Sequence, residues 1–184
     1  MKLDAQLLIA AANAFVGMRE EGGDNRGQMV EMFLREVHQT AGEPWCAAFV
    51  HHVGYWSHFD ASVRTSSWPL PPTASCAELG QYALARRILV KQPQPGDVFL
   101  LFSRGLGRFH HAGIVVSVDA RYPVRSSAIA GDDDGLWVCT TVEGNTNDDG
   151  SVNGTATLRK VRRINTVIGD RFVRWVELEQ LRAA

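Results

Sequence analysis

The apolar residues of this chain change period at Pro95, and that change limits the folds open to it. Before Pro95 they recur at three- and four-residue intervals; after it they fall in short β-branched or aromatic runs bounded by turn residues. Helices are expected from Asp4 to about Gly17, from about Gln28 to Val37 with Met29, Met32, Phe33 and Val37 on one face, from Pro44 to about His58, and from about Ser75 to Arg86. Strands are expected in Pro95–Phe102, His110–Val118, Leu136–Val142, Thr155–Val161 and Arg171–Val176. The connections are too short for helical crossovers. The expected fold is therefore α+β, with N-terminal helices packed on a mostly antiparallel sheet. No repeat or linker divides residues 1–184, which read as one domain.

Composition narrows the function classes. A formal net charge of −1 gives no electrostatic reason to expect nucleic acid as ligand. No apolar run approaches the roughly 20 residues needed to span a bilayer. Lys2 followed by Leu7–Ala14 has some letters of an export signal, but Asp4 interrupts its basic region; the same residues fit an amphipathic helix capped by Asp4. The chain is thus expected to be made in the cytoplasm without such a signal. Three cysteines, Cys46, Cys76 and Cys139, are too few for a disulfide framework and too widely spaced for a zinc site, so free thiols are expected.

Cys46 has the most informative surroundings of the three. Glu43 is a possible cap, Pro44 suits the first helical position, and Cys46 then falls in the first turn, where unpaired N–H groups and the helix dipole favour a thiolate. A lone cysteine is more commonly a small buried hydrophobe, so a partner base is needed to make it a nucleophile. His111 lies on a later strand, sharing one face with Gly113 and Val115, and Gly113 is expected to clear space where the sheet meets the cysteine helix. Glu143 ends the next strand, and Asn145 is an alternative or additional group to orient the histidine. His110 faces the other side of its strand. His51 and His52 follow Cys46 by five and six residues, about 140° and 240° around the helix, and are not expected to take part. Trp45 beside the cysteine and Trp68 in the proline-rich loop Ser66-Ser-Trp-Pro-Leu-Pro-Pro72 are expected to line the substrate cleft.

Four stretches carry a family resemblance: Trp45-Cys-Ala-Ala-Phe-Val50, Pro95-Gly-Asp-Val98, His111-Ala-Gly-Ile-Val115 and Glu143-Gly-Asn145. Together they resemble the signature stretches of the CHAP amidohydrolase/peptidase family, relatives of the NlpC-type cell-wall peptidases in the papain-like superfamily. Val16-Gly-Met-Arg-Glu20 and Asn25 are similar to the lead-in of some members. The resemblance implies a papain-like fold, Cys46 as nucleophile, His111 as base and acid, Glu143 as orienting carboxylate and Asn145 as a further polar member. It implies hydrolysis of an amide in peptidoglycan, by an N-acetylmuramoyl-L-alanine amidase or a peptide endopeptidase. Without an export signal, two routes to the periplasm and cell wall stay open, holin-assisted phage lysis and secretion-system delivery as an antibacterial toxin, and in the second an immunity protein is expected to plug the cleft. Such a chain is expected to be monomeric and to use no cofactor or catalytic metal. Gly131-Asp-Asp-Asp-Gly135 and Asn147-Asp-Asp-Gly150 read first as acidic turns and second as calcium loops. Arg104 and Arg108 read first as parts of a polar hairpin and second as contacts for a substrate carboxylate. The alternatives in function are acyl transfer to an amine, as in transglutaminases, and a non-catalytic wall-binding module.

Overall fold

The computed structural model describes residues 3–122, 134–147 and 153–179. It has the expected α+β composition. Four α-helices come first, α1 (Ala5–Ala14), α2 (Gln28–Glu36), α3 (Cys46–Ser57) and α4 (Cys76–Ala85), and a short hairpin, β1 (Phe59–Asp60) with β2 (Thr65–Ser66), stands before α4. The strands β3 (Leu89–Val90), β4 (Val98–Ser103), β5 (Arg108–Tyr122), β6 (Leu136–Thr146), β7 (Ala156–Asn165) and β8 (Arg171–Val173) make one sheet in the order β3-β8-β4-β5-β6-β7, every pairing antiparallel. Among the described residues no helix is long and apolar enough to cross a membrane.

Local chemistry sets the helix ends. Asp4 caps α1 by accepting from the Gln6 backbone N–H at 2.8 Å, and Ser75 caps α4 by accepting from that of Glu78. The α2 face centres on Val30, Phe33, Leu34 and Val37, all buried, while Met29 and Met32 sit at its margin; the helix is rotated from the expected stripe because Phe33 anchors it against Trp45 and Phe49. The hairpin β1–β2 and strand β3 are too short to have been visible as periodic runs.

The main core lies between the helices and one face of the sheet, where α3 packs on Ala112, Ile114 and Val142. A smaller cluster on the other face contains Phe99, Val115, Cys139, Ile164 and Phe172. Trp68 belongs to the main core: it is 7% exposed and lies against His58, Trp175 and the α3 backbone at Gly54, where an added Cβ would stand 2.2 Å from its ring. The proline-rich segment is thus clamped inward by its tryptophan.

Gly144 is the residue that lets the sheet approach the cysteine helix. A Cβ there would come 2.6 Å from Trp45 and 2.8 Å from Phe49. Gly113, for which that role was expected, faces the other way and makes room for Phe99 and the Glu143 side chain. Gly144→Ala should accordingly destabilise the fold by about 1–3 kcal/mol through overpacking. Urea unfolding checks this, and an unchanged midpoint would mean that Trp45 and Phe49 repack freely.

Candidate active site

Cys46 is the first residue of α3, nearer the positive helix end than the sequence led us to expect. The N-cap is Trp45, which makes no side-chain capping bond, and Glu43 and Pro44 lie outside the helix. The lead-in region holds this start in place. Glu20 accepts from Trp45 Nε1 at 2.7 Å and from the Asn25 backbone N–H at 2.8 Å, and Asn25 Nδ2 donates to the Gly42 carbonyl at 3.1 Å. Trp45 is therefore a wholly buried strut. It cannot touch a substrate, contrary to its expected place in the cleft.

His111 on β5 donates from Nε2 to Glu143 Oε2 at 2.9 Å, and it lies near enough to Cys46 to favour the thiolate. Glu143 is fully buried on β6 and is held by three further bonds from two side chains. Thr141 Oγ1 donates to Oε1 at 2.6 Å, Arg162 Nε donates to Oε1 at 2.9 Å, and Arg162 Nη2 donates to Oε2. Thus β5, β6 and β7 contribute, in order, the imidazole, the carboxylate and a guanidinium.

This network sets the ionisation states. Hydrogen bonds from the Cys76 thiol, and then from His111 and the Ala112 backbone N–H, hold the Cys46 thiol well below its ordinary range, against the opposing effect of burial. Burial disfavours the His111 imidazolium, but its bonds to Cys46 and Glu143 prevail and raise it to about 9. Burial likewise disfavours the Glu143 carboxylate, and His111 and Arg162 overcome this to bring it down to about 2. These shifts favour a thiolate–imidazolium pair beside a fixed negative charge.

Asn145 stands apart from this network. It has left-handed backbone (φ 54°) at the irregularity where β6 loses register with β7, and its Oδ1 is buried without a partner. Asparagine tolerates that conformation better than most residues, which accounts for it at this turn. His52 is committed elsewhere, bonding Glu36 through Nδ1 at 2.7 Å. The acidic turns fall largely outside the described residues; of their described members, Asp134 pairs with Lys91 and Asn147 accepts from the Thr155 backbone N–H. Among the described residues no cluster of histidine, cysteine or carboxylate side chains could hold a metal ion.

A groove of about 290 Å³ opens over the cysteine, lined by residues that include Gln39, Glu43, Cys46, Cys76, Arg108 and His110. Trp68 borders a different groove, with His51, Tyr55 and Trp56. Sequence reasoning missed Arg162 and Thr141, which have no spacing relation to the motif, and Cys76, which comes to 3.5 Å from Cys46 Sγ to Sγ.

His110 lines the groove, and the nearby Asp170 carboxylate acts on it through charge, with no hydrogen bond between them among the described residues. It sits where the β4–β5 ladder shifts register, and burial, then the charge of His111, lower its pKa. If the site hydrolyses an amide, His111→Ala should lower turnover by about 10²–10⁴-fold, with His110→Ala remaining close to the parent. The opposite order in a kcat comparison would transfer the base to His110.

No protein-family model, curated protein or solved structure matches this chain.

Proposed function

We propose that this chain is a cysteine amidase or endopeptidase of the CHAP type, with a papain-like arrangement, that cleaves an amide bond of peptidoglycan. The observation that carries this reading is His111 bonded through Nε2 to the buried Glu143 carboxylate at 2.9 Å, with Cys46 at the start of α3 near enough for the imidazolium to favour its thiolate. The Cys46 thiolate attacks the carbonyl carbon, and the oxyanion is met by the free N–H groups at the start of α3, that of Cys46 among them. His111 gives its proton to the leaving amine, and a thioester remains on Cys46. The neutral imidazole then takes a proton from water, which attacks the thioester and releases the acid.

The groove supports a zwitterionic substrate, because exposed Glu43 and Arg108 at its lining offer partners for an amino group and a carboxylate, both present in wall stem peptides. Wall access would follow holin-assisted release or secretion-system delivery, and an immunity protein that fills this groove would protect the producing cell. The test is digestion of purified muropeptides followed by mass spectrometry. The expected result is a pair of fragments whose masses sum to the substrate plus one water, with a new amine locating the broken bond. No cleavage by the reduced protein would overturn the hydrolase reading, and capture of an added amine in place of water would identify an acyltransferase.

A further inference from the structure

Cys76 has no part in the acyl-transfer steps, yet its position is hard to assign to packing alone. It is the first residue of α4 as Cys46 is of α3, so two helix N-termini present their thiols to each other. The sulfurs are 3.5 Å apart, both cysteines are free, and both line the same groove, through which a small solute can reach them. A disulfide needs about 2.05 Å between sulfurs, so the two side chains have only a short approach to make.

We propose that Cys46 and Cys76 form an oxidative modification site, in which a hydroperoxide oxidises Cys46 and Cys76 resolves the product to a disulfide. This goes beyond the hydrolase reading by giving the same nucleophile a reversible off state. In the first step the Cys46 thiolate attacks the outer peroxide oxygen. The S–O bond forms, the O–O bond breaks, and the departing alkoxide or hydroxide takes the His111 proton, leaving Cys46 as a sulfenic acid and the peroxide reduced by two electrons. In the second step Cys76 sulfur attacks Cys46 Sγ, the S–O bond breaks, and the Cys76 proton goes to the leaving hydroxide, releasing one water. The asymmetry of the pair fits these roles. The hydrogen bond with Cys46 and burial keep Cys76 protonated while Cys46 is ionised, so Cys46 reacts first. Arg108, also on the groove, favours the Cys76 thiolate once Cys46 has lost its charge. Cys139 is excluded by position, since it lies in the cluster on the other face of the sheet.

The experiment is titration of the reduced 184-residue protein with hydrogen peroxide, an alkylating quench, and intact-mass and peptide mapping. The expected product has lost two hydrogens, links the peptides of Cys46 and Cys76, and regains full Cys46 alkylation on treatment with dithiothreitol. In Cys76→Ser and Cys76→Ala, Cys46 should instead pass to sulfinic acid, which dithiothreitol does not restore. The proposal is overturned if parent Cys46 reaches sulfinic acid as readily as in Cys76→Ala, or if any disulfide formed joins Cys139. The readout is the chemical state of the thiols, so a failed wall digest leaves this test intact, and a failed oxidation test leaves the hydrolase reading intact.

Discussion

Cys46→Ala is expected to fold and to lose wall-hydrolase turnover by about 10⁶-fold, the scale on which nucleophile-dependent hydrolases fall when the attacking group is removed. Folding should survive because the thiol is small and the α3 start is braced by backbone, Trp45 and Glu20 contacts that the substitution leaves alone. Cys139→Ser serves as the control. Its sulfur is buried on the other face of the sheet, where burial pushes the thiol up to about 12, so it is neither ionised nor near the groove. The pH dependence of Cys46 alkylation, followed by peptide mapping, tests the mechanism in the parent protein. The thiolate should appear below the unperturbed cysteine value of about 8.5, and the thiolate–imidazolium pair should disappear as pH rises through about 9, where His111 loses its proton. Lysis by Cys46→Ala at the parent rate would end the cysteine-hydrolase reading, and an unshifted thiol would detach His111 from it.

Arg162→Met should be the most damaging substitution outside the groove. Glu143 is wholly buried, and Arg162 supplies two of its bonds from the neighbouring strand β7. Removing one partner of such a pair leaves a buried charge undercompensated, at a cost of about 3–5 kcal/mol. The pH dependence has a definite sign. Because the folded-state pKa of Glu143 is depressed to about 2, its contribution is present above the unfolded carboxylate range and is lost as pH falls through the folded value. Without Arg162 the folded value moves up, so the acid unfolding midpoint should shift to higher pH. Arg162→Met combined with Glu143→Gln should recover part of the lost stability, since the buried carboxylate charge that Arg162 compensated is then gone. Urea midpoints across the acid range decide this; a parent-like Arg162→Met curve would show that His111 and Thr141 suffice to hold the carboxylate.

Much of the fold was legible because its signals are local. Asp4 and Ser75 were readable as helix starts because a capping side chain bonds N–H groups only two or three residues away. The change of period at Pro95 was enough for an antiparallel sheet, since short connections leave few other ways to pair strands. Cys46, His111 and Glu143 were likewise singled out from the chain, as residue types able to share a proton and placed on separate elements. Their juxtaposition, however, depends on how those elements pack.

What the sequence by itself determined was the order and type of the elements and the residues worth watching, because propensity, capping and periodicity act within a few residues. What only the tertiary structure decided was orientation and company. It turned Trp45 and Trp68 inward, assigned the close approach of helix and sheet to Gly144 instead of Gly113, and left Asn145 outside the network. It also brought Arg162 and Thr141 onto Glu143, and the Cys76 thiol onto that of Cys46. The physical reason is that a buried charge or thiol is defined by whatever lies within a few ångströms of it, and those neighbours come from strands and helices whose separation along the chain carries no trace of the contact.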